Sequence, residues 1–172
     1  MIRRPRFLIR AVFCLVLSQL VIGIATAEPI DHTKWNELLS KYVTPINDGK
    51  STAVDYSGFL DDRAQLKQYL NFLESVNEDK FDELSKDEQL AFLINAYNAW
   101  TVELILTEYP DLDSIKDLGG FFSSPWKKKF IPLLDDTRSL DDVEHNLIRG
   151  SDRYEDARIH FAVNCASIGC PA

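Results

Sequence analysis

The chain has 172 residues and carries 19 basic against 27 acidic side chains, a net charge of −8. Long-range electrostatics of that sign repel phosphate backbones and anionic lipid, so nucleic acid is excluded as an expected partner. No internal repeat, low-complexity tract or linker rich in Gly or Ser divides the sequence.

The first element is a separable leader. Arg3, Arg4, Arg6 and Arg10 precede an apolar run over residues 11–25, and Ala25-Thr26-Ala27 supplies a small-x-small cleavage pattern. This is the layout of a secretory signal peptide cut after Ala27, with no stable membrane insertion of the remainder. Its loss removes four arginines and no acid, which moves the net charge from −8 to −12. The remaining residues 28–172 fit one ordinary globular domain, long enough to bury a core. The expected location is the periplasm or the exterior, an oxidising setting for the two cysteines left after Cys14 departs, Cys165 and Cys170.

Within residues 28–172, Trp35, Leu38, Leu39 and Tyr42 recur at steps of three and four, which predicts an amphipathic helix over residues 31–42. Val54-Asp55-Tyr56 reads as a short extended piece. Leu60, Leu66, Tyr69, Leu70, Leu73 and Val76 describe a second helix. In the third, Ser85 and Glu88 form a capping box ahead of a long apolar run that Pro110 closes. Helical from Lys86 to about Glu108, it would span ~35 Å. Apolar side chains occupy nearly its whole circumference, so it is expected to be the central, largely buried helix.

Residues 111–130 read as loop, with Gly119-Gly120 and the basic run Lys127-Lys128-Lys129, which most simply forms a solvated face. Ile131 to Leu134 can make only an edge strand because of Pro132. Ser139 caps a short helix with Leu140, Val143, Leu147 and Ile148 on its apolar side. The alternation in Ile159 to Val163 predicts a strand, Ile159, Phe161 and Val163 facing one way and His160, Ala162 and Asn164 the other. The fold class expected is α+β, with the long helix packed on a small, mostly antiparallel sheet that contains the Ile131 and Ile159 strands.

Polar residues in apolar settings mark where chemistry could reside. Asn95 and Asn98 lie one turn apart on the central helix, and a buried amide without partners costs about 1–3 kcal/mol, so each must be bonded to something specific. They either pin neighbouring backbone to the helix or line a pocket. Glu144 falls on the inward side of its helix beside His145, with Arg149 one turn beyond the histidine, and can be a structural ion-pair partner of Arg149 or Arg158, or an acid that orients a catalytic group. Cys165 and Cys170 admit three readings. They could form a disulfide closing a short turn, join His160 or His145 at a metal, or leave Cys165 as a nucleophile activated by a histidine. The last requires the strand to break near Asn164, and the small residues Ala166, Ser167 and Gly169 permit such a break.

Four ordered segments, FLINAYNAWTVELIL, DLGGFFSSPWKKKFI, LDDVEHNLIR and RIHFAVNCASIGCP, resemble those of the domain of unknown function family 547. The resemblance implies that Asn95, Asn98, Glu144, His145, His160, Cys165 and Cys170 occupy the family's motif positions. It also implies that the domain continues past the Cys-Pro pair, so that the chain would stop inside it. A distant kinship with papain-like thiol enzymes has been suspected for the family. In those folds the nucleophilic Cys opens the central helix and its His follows, whereas here the helix offers Asn and both internal histidines precede Cys165.

The leading expectation is therefore a thiol-centred hydrolase or acyl transferase acting on a peptide-like substrate, without a cofactor. Cys165 would attack, His160 or His145 would take its proton, Glu144 or Asn164 would orient that histidine, and backbone N–H groups from Ala166 through Ser167 to Gly169 would hold the oxyanion. The alternatives are a non-catalytic binding module with a Cys165–Cys170 disulfide, in which Asn95, Asn98, Asn164 and Ser167 shape the pocket, and a metal-binding domain.

Overall fold

A computed structural model of the chain describes residues 28–120 and 123–166. The proposed leader and Cys170 lie outside the described residues.

Helix α1, Thr33–Tyr42, buries Trp35, Leu38 and Tyr42 along one stripe. The chain then turns through a hairpin, β1 Val43–Ile46 and β2 Ser51–Val54, paired antiparallel with Val43 opposite Val54. Asn47, Asp48 and Gly49 all take positive φ at its tip, a conformation that Asn, Asp and Gly adopt at least cost. Asp55 caps α2, Tyr56–Asp61, by accepting from the Gly58 N–H. The extended piece therefore ends at Val54, and Tyr56 is already helical.

The single helix expected over residues 60–76 is two. After α2, the chain breaks at Asp62 and restarts as α3, Arg63–Glu74, with Leu66, Tyr69, Leu70 and Leu73 buried. A short α4, Glu78–Asp82, follows under an Asn77 cap. Helix α5, Lys86–Leu106, begins with the Ser85–Glu88 capping box complete in both directions. As its composition requires, it is buried on several faces, with Phe92, Leu93, Tyr97, Ala99, Leu104 and Leu106 almost without exposure. Buried Glu103 is clamped by the Arg63 guanidinium at 2.6 and 3.2 Å, which ties α3 to α5.

Two short 3₁₀ turns, Ile115–Leu118 and Pro125–Lys127, punctuate the loop beyond α5, and Lys127, Lys128 and Lys129 are exposed as a solvated face should be. Strand β3, Ile131–Leu133, pairs among the described residues only with β4, Asp136–Arg138, through a two-residue turn in which Leu134 and Asp135 both have positive φ. A helical segment follows in which Asp142–Arg149 is wound as a π-helix.

The strand expected at Ile159 is instead a helical turn, α6, Ile159–Ala162. Ile159 and Val163 are 6% and 5% exposed while Phe161 between them is 65% exposed. Burial thus recurs every fourth residue, not every second, and a helical turn satisfies it. The single sheet expected of Ile131 and Ile159 is likewise replaced by two separate hairpins. The fold is α+β: several helices, with α5 at their centre, packed with small antiparallel sheets. Among the described residues no helix is long and apolar enough to cross a membrane.

Candidate functional site

Asn98 is the most fully committed of the polar residues singled out by the sequence. Its amide nitrogen donates to the Ala162 carbonyl at 2.8 Å, and its oxygen accepts from the Asn164 backbone N–H at 2.9 Å. One side chain on α5 thereby satisfies two backbone groups of the segment leaving α6, groups that no regular secondary structure there would satisfy. The Asn164 oxygen in turn accepts from the Ala166 N–H at 2.8 Å, and Ala166 takes φ +54°. The backbone does break beyond Asn164, as a tight side-chain-stabilised turn.

Asn95, one turn earlier on the same face, makes no side-chain hydrogen bond to another described residue and lines a cavity of about 220 Å³. That cavity is open on one side and lined by Trp35 of α1, Val43 and Val54 of the first hairpin, Phe59 of α2, Val102 of α5 and the turn at Ala162–Ala166. Trp35 is 1% exposed, is stacked on Tyr69 with centroids 5.8 Å apart, and has an indole N–H without a partner. Tyr56 also faces the cavity, and burial holds its phenol above the usual pKa.

Glu144, His145 and His160 fall into two groups, the first built on the Glu144–Arg149 ion pair that was one of the alternatives read from the sequence. Glu144 pairs with Arg149 at 3.1 Å, and the same guanidinium meets His160 Nδ1 at 2.9 Å. The π-helix explains the first contact, because i→i+5 winding brings residues five apart onto one face. For the same reason Val143 and Ile148 are both buried while Leu147 is only partly so. His145, expected one turn from Arg149, instead stands 3.8 Å from Asp141 on the exposed side. Arg158 pairs with Asp156, not Glu144. Tyr97 completes the inner end of the first group. Its phenol is pushed up chiefly by burial and next by the Glu144 carboxylate.

Cys165 is disulfide-bonded. The second sulfur lies outside the described residues, as do Ser167 and Cys170. Among the described residues no three His, Cys, Asp or Glu side chains gather as a metal site.

The contributions of α1, the first hairpin and α2 to the cavity wall were missed in the sequence. The signal for the hairpin was present: Asn47-Asp48-Gly49 lies between two runs containing β-branched residues.

An α+β domain with a pocket walled by its central helix and a side-chain-pinned turn is the class of protein that fold and site define. The chain belongs to the family described as "Protein of unknown function, DUF547", whose profile matches residues 81–172. The match covers α5, the π-helix and the Cys165 segment, and leaves out α1, the first hairpin, α2 and α3. No curated protein and no solved structure matches the chain.

Proposed function

We propose that the chain is a secreted or periplasmic binding domain whose ligand enters the cavity between α1, the first hairpin, α5 and the turn at Ala162–Ala166. The observation that carries this reading is the double engagement of Asn98 with Ala162 and Asn164. It makes the Asn95/Asn98 pair a device for building a cavity wall. One amide holds the turn in place and the other is left at the lumen. A largely apolar concavity with a few placed polar groups is the common form of a ligand site. The leader pattern in residues 1–27 supports export, and a disulfide at Cys165 suits an oxidising compartment.

A thiol-centred hydrolase or acyl transferase is the second reading, and two observations weigh against it. Its nucleophile must be a free thiolate, whereas the Cys165 sulfur is bonded. Its candidate bases are occupied or remote in role, His160 with Arg149 and His145 beside Asp141. A papain-like arrangement also lacks a cysteine at the start of α5, where Ser85 and Lys86 stand.

Thermal unfolding of the full chain with ring-sized neutral, anionic and cationic fragments tests the proposal. At least one fragment at saturating concentration should raise Tm by several degrees in the native chain but not in Val102→Phe, which places a ring in the cavity. A panel that leaves the native chain unmoved, or alkylation of Cys165 by iodoacetamide without prior reduction, would overturn it.

A further inference from the structure

Every described residue that lines the cavity is uncharged. The polar groups there are the amides of Asn95, Asn98 and Asn164, the hydroxyls of Thr52, Tyr56 and Thr101, and the indole of Trp35. In a chain where 27% of residues are charged, that composition is selective. An ion seated against such a lining would lose much of its hydration and meet no counter-charge among the described residues, a large penalty. Neutral groups face no such barrier.

The polar groups are also unequally available. Asn98 is spent on backbone, Thr101 donates to the Tyr97 carbonyl at 2.8 Å, and Asn164 accepts from Ala166. Asn95, which offers both a donor and an acceptor, makes no side-chain hydrogen bond to another described residue. Size sets the third constraint. An apolar cavity of about 150 Å³ accepts benzene, so about 220 Å³ admits a ring with a short substituent.

Resting on the pocket reading above, we infer that the ligand is an uncharged molecule, or an uncharged end of one, with a single ring-sized apolar group next to an amide-like hydrogen-bonding group. The apolar part would lie against Val102, Val54 and Phe59, and the polar part would meet Asn95. The same chemistry is presented by an aromatic amide and by an acylated aromatic residue of a peptide.

The probes are acetanilide, toluene and phenylacetate, which share a ring and differ in a neutral amide, no polar group and a carboxylate. The readout is the set of indole N–H resonances of the ¹⁵N-labelled full chain, with Trp35→Phe used only to assign the Trp35 signal. Acetanilide should shift the Trp35 resonance saturably and leave those of Trp100 and Trp126 in place. Toluene should bind roughly fivefold more weakly, the scale of one hydrogen bond, and phenylacetate should produce no saturable shift. Asn95→Ala should reduce acetanilide affinity to that of toluene without altering toluene. Phenylacetate binding as tightly as acetanilide would overturn the ligand class and leave the pocket standing, as would equal affinities of acetanilide and toluene. No saturable shift with any of the three, together with an unmoved Tm in the fragment panel, would overturn both.

Discussion

Asn95 and Asn98 show how two identical side chains three residues apart come to have different roles. Both lie on the face of α5 turned toward the segment following α6, yet only Asn98 sits where its amide bridges the Ala162 carbonyl and the Asn164 N–H. Removing it would leave two backbone groups without partners in a partly buried place. Asn98→Ala is expected to lower stability by about 2–3 kcal/mol and to speed amide exchange at Asn164, as read by chemical denaturation and hydrogen exchange. Asn95→Ala, which breaks no such bond, should stay within about 0.5 kcal/mol of the native chain. Equal losses in the two variants would refute the division of labour. The sequence predicts that both amides are bonded, because each interrupts an apolar helix; among the described residues only the Asn98 side chain is. Which one finds backbone depends on the path of a segment 64 to 66 residues away, and no local pattern encodes that path.

At the scale of the element, the π-helix and the terminal turn were legible only in part. Leu140, Val143 and Ile148 are recognisably apolar in a helical frame, and all three are buried. The i→i+5 winding, however, moves Glu144 onto Arg149 and turns His145 outward. Gly150 ends that winding. A Cβ built there would stand 2.6 Å from the His145 carbonyl oxygen, a backbone atom that cannot rotate away. Gly150→Ala is therefore expected to cost about 1–3 kcal/mol and to weaken the Glu144–Arg149–His160 chain. A lowered urea midpoint with broadened resonances at residues 144–149 would register this, and an unchanged midpoint would show that the π turn can rewind freely. The misread strand has a plain cause. Ile159 and Val163 are an even number of residues apart, so the same two burials fit alternation and a single helical turn equally well; the largely exposed Phe161 decides between them.

Across the whole molecule, the N-terminal helix is fastened to α3 by contacts that respond to pH. His32 Nδ1 and the Tyr69 hydroxyl are 2.7 Å apart, Trp35 stacks on Tyr69, and Lys34 donates to Gln68. Burial is the main influence on His32 and holds its pKa below the ordinary 6.5, against a smaller upward pull from Asp31. The unfolded chain therefore binds the histidine proton more readily than the folded one, and stability must fall as pH drops below 6.5 toward the lower folded value. Denaturation midpoints between about pH 7 and about pH 5 should decline less steeply in His32→Phe, which has no proton to bind. Identical slopes would remove His32 as the source. Because Trp35 also walls the cavity, the fastening of α1 to α3 and the shape of the pocket are one structural matter.

The amino-acid sequence by itself determined the α+β class, the long buried helix with its capping box and the edge strand at Ile131. Each of these follows from periodicity or from a short-range hydrogen bond between residues a few positions apart. Tertiary structure alone decided that Asn98 anchors a turn, that Arg149 also reaches His160, that the Ile159 segment is helical and that Trp35 and Asn95 face one cavity. Those outcomes depend on which buried groups meet across tens of residues, where the energy of packing and of satisfying backbone outweighs the local preference of a five-residue pattern.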